Sequence, residues 1–484
     1  MPIAPNDLRW HDHVDVGIIG AGGCGLTAAL AAAHPELRVV VWEKAKAAGG
    51  NTNLTDGAIP AAGTAYQRDA GLTDTAQDFA RDVLAHNHER SDPALTHRLC
   101  EASAPLIEWL TERHGLALEL ERYILRAGHR QYRMHAVVTR TGQALVEHLL
   151  GRASKQASVT VRLATPVLHL WQDESGTVIG AQIKSPKKSA TNVRCAAVIL
   201  ANDGFGGNAE LVAQRCPAIA GAPYAGSATD RGDALLWGQE LGAACEHLDA
   251  FHAHPIVAVG SNYVLPSALL SLGAIIVNQR GERFANESDD LARVALRVRA
   301  QPGQLAYLLF DARMLKQAQQ HDPRFEKEIV PRTLRRGADL ADLSKQFQLD
   351  AAAVENTVAA VNAALGHGAD AFGRTLSNEP MQAPFYAARV TGALLATQGG
   401  LRIDTGARVL RADGVAIKNL YAGGGAAVGL SGPGGEGYLP GMGLLCALAW
   451  GKIAGEEAAY AVLAARAAAA AETTATTIEP SPSA

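Results

Sequence analysis

Six residues, Gly20-Ala21-Gly22-Gly23-Cys24-Gly25, stand between an apolar run, VDVGIIG from Val14, and a strong helix-forming stretch, LTAALAAAH. Glycines at 20, 22 and 25 suit one chemistry. Gly20 permits a tight turn, Gly22 lets the backbone approach a pyrophosphate, and Gly25 lets the helix pack closely on the strand before it. The helix N-terminus then faces the anion with its unpaired N–H groups. A second apolar run, RVVVWE, ends in Glu43 roughly 20 residues downstream, where a carboxylate can accept both hydroxyls of a ribose. The acid disfavours a phosphorylated ribose, so NADP is not expected.

The elements that must hold these groups follow from the same pattern. Strand, glycine turn, helix and second strand make a parallel sheet unit with the nucleotide at the strand ends. The next segment, AGGNTNLTDGAIPAAGT from Ala48, is a loop rich in Gly, Asn and Thr. Its Gly49, Gly50, Asn51, Thr52, Asp56 and Gly57 offer backbone N–H groups and short polar side chains to a second cofactor moiety, as an isoalloxazine ring and its ribityl chain require. Two further apolar strands run into glycines: AAVILANDGFGGN, carrying Ala201, Asn202 and Gly204, and IKNLYAGGGAAVG, carrying Gly424 and Gly425.

Composition narrows the function classes. The chain has 484 residues, 48% hydrophobic, which is ample for a large core and for two domains. A formal charge of -4 with scattered Lys and Arg gives no electrostatic footprint for nucleic acid. The six cysteines (Cys24, Cys100, Cys195, Cys216, Cys245, Cys446) form no C-x-x-C pair for a metal, an iron–sulfur cluster or a haem, and read as buried thiols. No metal site is expected. The start, MPIAPNDLRWHDH, lacks a basic region followed by an apolar core, so the cytoplasm is the expected location. The alanine-rich end carries charges and is too interrupted to insert into a membrane, and a helix is expected to about Ala470 with a disordered tail beyond.

Taken in order, GAGGCG, GGNTNLTDGAIPAAG, RGDALLWGQELGA, HAHP, GAIIVNQRGERFANE, TQGGLRIDT, NLYAGGG and GMGLLCALAWGKIAGEEAA resemble the flavoprotein subunit of the fumarate reductase and succinate dehydrogenase family, which includes 3-ketosteroid dehydrogenases. The resemblance runs from about Val14 to Ala465 and implies an α/β fold: a Rossmann-type FAD-binding domain interrupted by an α+β capping domain. The implied division is 1–248 for the first part of the FAD domain, 249–395 for the cap, 396–470 for the second part and 471–484 for the tail. Within the cap, GAIIVNQRGERFANE reads as strand and turn, and AAAVENTVAAVNAAL as an amphipathic helix. The cofactor set implied is Gly20, Ala21, Gly22, Gly23, Cys24, Gly25, Glu43, Lys44, Gly49, Gly50, Asn51, Thr52, Asp56, Gly57, Ala201, Asn202, Gly204, Asp233, Gly424, Gly425, Gly441, Gly443 and Leu444. A helix starting at Gly441 would point its positive end at the flavin.

Two departures refine this. Relatives that bind FAD covalently have a histidine where this chain has Asn51, so the FAD is expected to be noncovalent. Many relatives place an acid where this chain has Gly425, so the ribityl contact of that acid is made otherwise or lost.

At the catalytic positions the resemblance puts Leu270, Ala396 and Tyr438 where fumarate reductases hold dicarboxylates with cations and a histidine, and Leu291 near their proton-delivering arginine, with Arg293 two residues away; His254 survives. Arg133 and His135 in QYRMHAVVTRTG are candidates to receive one carboxylate, Arg133 alternatively pairing with a local acid. Tyr438 resembles the tyrosine with which ketosteroid dehydrogenases polarise a ketone. The expected activity is therefore an FAD-dependent oxidoreductase acting on a CH–CH bond beside a carbonyl, dehydrogenating a cyclic or apolar ketone. Tyr438 would stabilise the developing enolate, with His254 or one of Tyr66, Tyr132 and Tyr263 as proton acceptor. The alternatives are a reductase or dehydrogenase of an unsaturated carboxylic acid, with Arg133 and Arg293 as clamps, and an electron-transfer flavoprotein subunit of a larger assembly. The partners expected are a small carbonyl substrate and an unidentified electron acceptor.

Overall fold

The computed structural model describes residues 3–186, 188–321, 325, 330–375 and 379–476. The strand Asp12–Ile19 is buried along most of its length, as a run of Val and Ile between two neighbours requires. It pairs in parallel with Val39–Trp42 on one side and Ala190–Leu200 on the other. Val159–Arg162 and Ala416–Ala422 extend the parallel set, and three antiparallel strands complete a sheet of eight. The helix Gly23–Ala31 follows the first strand and packs against the C-terminal helix Met442–Thr476. That helix continues past Ala470, correcting the expected start of the tail; the rest of the tail lies outside the described residues.

A second sheet is antiparallel throughout. Its strands Phe251–Ala258, Ile275–Val277, Ala306–Asp311 and Arg335–Gly337 assemble around the long strand Phe385–Thr397. Its side chains have a separate core that includes Leu270, Phe310 and Val354. The helix Ala351–Ala363 contributes Val354, Val358 and Val361 to it, at the spacing of one helical face. A parallel sheet carrying the glycine turn, with an antiparallel α+β part inserted between its strands, is the Rossmann-type FAD-domain and cap fold class expected from the sequence.

Candidate active site

Four parallel strands end at one place. Ile19 and Gly20, Trp42 and Glu43, Ala201 and Asn202, and Gly424 all line a cavity of about 410 Å³, at the carboxyl ends of their strands. The inserted part supplies the opposite wall with His252, His254, Val264, Leu265, Pro266, Ser267, Ala268, Ser271, Leu395 and Ala396. The cavity is thus lined from both the parallel-sheet part and the inserted part.

The glycine turn behaves as its spacing requires. A Cβ on Gly25 would lie 1.9 Å from the Gly20 carbonyl oxygen, so only hydrogen at that position lets the helix sit so close to the turn. The helix has Gly22 at its N-cap with no side-chain cap from that residue; the Thr52 hydroxyl accepts the Gly23 N–H at 3.0 Å, and the rest of the first turn is open to a ligand. Glu43 accepts from the N–H groups of Ala21 (2.8 Å) and Ala45 (2.7 Å), fixing its carboxylate at the cavity wall. Lys44 pairs with Asp233 at 2.8 Å, both lining the cavity.

An extended dinucleotide with a polyol arm fits these residues. Asn202 is unpaired at both ends of its buried amide, and Asp230 Oδ1 and His252 Nε2 are buried without partners. All three residues line the cavity. Buried polar atoms are nearly always satisfied, so this row of orphans marks a missing polar ligand. Of the expected cofactor residues, Ala21, Gly25, Gly57 and Gly204 do not line the cavity but stand behind its wall; the others line it.

The catalytic candidates divide. Tyr438 lines the cavity, its ring stacked on His252 with centroids 3.8 Å apart. Its hydroxyl oxygen accepts the Gly443 N–H at 3.1 Å, which leaves the hydroxyl proton free to be donated. Burial pushes the phenol up to about 12, so it stays protonated at neutral pH. His254 also lines the cavity, and burial pushes it down to about 4. Its Nδ1 accepts the Ile256 N–H at 3.4 Å, placing the proton on Nε2. In this arrangement His254 is neutral, with Nε2–H as a hydrogen-bond donor.

Arg133 takes the second of its two expected roles, pairing with acids, and His135 stands beside it away from the cavity. Arg133 is 1% exposed and does not line the cavity; its guanidinium grips Asp74 with two bonds of 2.7 and 2.9 Å and also bonds Asp82. His135 Nδ1 donates to the Arg133 carbonyl and Nε2 accepts the Thr64 hydroxyl, both at 2.8 Å. The pair ties a buried corner together and meets no substrate carboxylate. Tyr66, Tyr132 and Tyr263 are likewise absent from the lining. Arg293 lines a smaller, separate cavity and bonds Glu436 and Asp289 at 2.7 and 2.9 Å.

Sequence reasoning missed Asp203, Asp230, His252 and Arg126, which all line the cavity. His252 was findable: it lies two residues from His254 in one strand, on the same face. Arg126 sits in a loop with no local pattern, paired with Asp56 at 2.7 Å and Glu121 at 3.2 Å.

The FAD binding domain family matches residues 15–437. The chain is 31% identical over 453 residues to the fumarate reductase (cytochrome) of Shewanella frigidimarina, covering 93% of this chain and 77% of that protein. Among solved structures it is similar to the open conformation of a flavocytochrome c3 fumarate reductase, with a TM-score of 0.81 and 29% identity over 94% of this chain and 79% of the other. The fold, at 24% identity, is also that of the 3-ketosteroid-Δ4-(5α)-dehydrogenase of Rhodococcus jostii RHA1, with a TM-score of 0.75 over 95% of this chain and 99% of the other.

Proposed function

The chain belongs to the FAD binding domain family, among the relatives of fumarate reductase, and is an FAD-dependent oxidoreductase; on that premise we propose that it interconverts a saturated and an α,β-unsaturated carbonyl compound, as a dehydrogenase of a cyclic or apolar ketone. One observation carries the reading. Among the described residues that line the cavity, the cationic side chains are Lys44 and Arg126, and carboxylates already pair both. Arg133 and Arg293 are paired elsewhere, and both cavity histidines are held neutral by burial, His252 at about 3 and His254 at about 4. A dicarboxylate taken out of water would find only these two cations, each already sharing its charge with carboxylates, with the Arg126 Nε as the one buried guanidinium donor still open among the described lining residues.

A ketone oxygen finds donors instead. FAD, when bound, supplies the two-electron acceptor. The chain's own part is to ease removal of the proton alpha to the carbonyl. As a general base takes that proton, charge gathers on the carbonyl oxygen, and the Tyr438 hydroxyl and His254 Nε2–H are the cavity donors proposed to meet it. His252, flat against the Tyr438 ring, keeps the phenol from swinging away. The apolar side chains of Val264, Leu265, Pro266 and Leu395 suit the rest of an apolar substrate.

The FAD is held without a covalent link in this proposal. Asn51 is an amide occupied by its neighbours: its Oδ1 accepts the Ser227 N–H at 2.6 Å and its Nδ2 donates to Asp203 at 2.9 Å. Acid precipitation should release all the yellow colour to the supernatant. The protein is proposed to act in the cytoplasm and to pass electrons to a separate acceptor; no described helix is long and apolar enough to cross a membrane.

The second reading is reduction or dehydrogenation of an unsaturated carboxylic acid, favoured by the named activity of the Shewanella relative. In this chain it would fall to Arg126. Anaerobic mixing of the oxidised protein with panels of saturated ketones and acids separates the two, because the flavin bleaches only with a substrate. Each absent charge-assisted hydrogen bond forfeits about 1.5 to 3 kcal/mol of carboxylate binding, so dicarboxylate use should be lower by orders of magnitude than in an enzyme with those cations. Rapid fumarate reduction with a reduced viologen dye would overturn the ketone reading.

A further inference from the structure

Asp203 follows the strand Ala190–Leu200 and lines the cleft in the left-handed region, with φ 69°, where a residue bearing a Cβ is strained. Its Oδ1 accepts the Gly204 N–H at 3.0 Å and its Oδ2 the Asn51 amide at 2.9 Å. An ideal Cβ on Gly425 would stand 2.2 Å from that Oδ1. Gly425 itself is outside the left-handed region, so the carboxylate, with the Gly204 backbone N at 3.0 Å as a lesser contact, and not the backbone angle, is what opposes a side chain there. Asp230 lies beside it, with Oδ2 accepting the Tyr224 hydroxyl at 2.7 Å and Oδ1 buried without a partner. The Asn202 amide is unpartnered at both ends.

Two acids and an open amide, with no cation in hydrogen-bond contact with either acid among the described residues, would repel a phosphate, and Asp230 Oδ1 and the Asn202 amide still lack partners that hydroxyls could supply. Burial, and for Asp230 also the neighbouring Asp203, pushes both carboxyls above the usual range, as expected of acids awaiting donors. Glu43, at the end of another strand, is the acid placed for the ribose. We propose that Asp203 supplies the carboxylate that accepts the ribityl hydroxyls of the cofactor, with Asp230 and Asn202 beside it, and that positions 203 and 425 are a reciprocal pair in which either one can carry the acid.

The test uses the apoprotein of the full chain, with FAD and ADP titrated separately; ADP has the phosphates and ribose but no ribityl arm. D203G should weaken FAD about 10- to 100-fold, as loss of charge-assisted hydrogen bonds requires, and leave ADP unchanged. It should also raise the melting temperature of the apoprotein, because the strained Cβ and a desolvated acid are both removed. G425E alone should weaken FAD, and D203G/G425E should return to within about threefold of wild type. If G425E folds poorly, D203N reports on the charge alone, with FAD weakened and ADP retained. Wild-type FAD affinity in D203G, equal loss of ADP and FAD, or a folded double variant no better than D203G would overturn the assignment. Failure of the wild-type apoprotein to take up FAD would overturn the cofactor assignment beneath it.

Discussion

Tyr438 is held from two sides: the Gly443 N–H fixes its oxygen and the His252 ring covers its face. A phenol so fixed, with its proton still free, is an oxyanion donor already in place, and its removal should show in the rate of chemistry before it shows in stability. Tyr438→Phe is expected to keep the fold and the flavin while losing about 100-fold in single-turnover flavin reduction by whichever ketone bleaches the wild type. An unchanged rate, with weaker flavin binding or a lower melting temperature, would make the tyrosine structural. Tyr438 could be picked from the sequence because it stands beside a glycine-opened helix. The two readings of Arg133 could not be separated in the sequence for a physical reason: Asp74 and Asp82, which neutralise it, lie in a segment more than 50 residues earlier, and no local spacing announces a pairing made by tertiary folding.

At the scale of elements, the nucleotide turn depends on how its helix meets the C-terminal one. Gly451 and Gly455 of Met442–Thr476 lie on the helix Gly23–Ala31; a Cβ on Gly451 would be 2.4 Å from the Cys24 carbonyl oxygen, and one on Gly455 would be 2.3 Å from that of Ala28. Both contacts are backbone, so nothing flexible can give way. Gly455→Val should therefore force the helices apart, costing about 1–3 kcal/mol in urea denaturation and weakening FAD as the helix N-terminus shifts. Gly151→Ala, in a helix where a new Cβ meets nothing within 4 Å, should instead be neutral or stabilising by up to about 1 kcal/mol. A Gly455→Val protein as stable and as yellow as wild type would refute the close-packing argument. The first helix, its glycines and the acid at Glu43 were legible because they lie within one continuous stretch with a fixed register. Gly451 and Gly455 were not, since their reason is a partner more than 400 residues away.

Over the whole molecule, the buried histidines decide how stability responds to acid. Burial holds His114, His129, His135 and His254 down to about 4 and His252 to about 3, against about 6.5 in an unfolded chain. Between pH 6.5 and 4 the unfolded chain therefore takes up protons that the folded chain refuses, and stability falls as the pH falls. Asp203 and Asp230 act in the opposite sense, since their raised carboxyls bind protons in the folded chain first, but they are two groups against these five histidines and His86 and His169, which burial also lowers. The midpoint of urea unfolding of the apoprotein should accordingly drop steadily from pH 7 to 4.5. His114 isolates the effect, because neither of its ring nitrogens has a partner and it does not line the cavity. His114→Leu removes one such proton, so the slope of unfolding free energy against pH should shrink by up to about 1.4 kcal/mol per pH unit, the value of one whole proton. The variant should gain on wild type as the pH falls below 6.5; parallel curves for the two proteins would show that His114 is not held neutral by the fold.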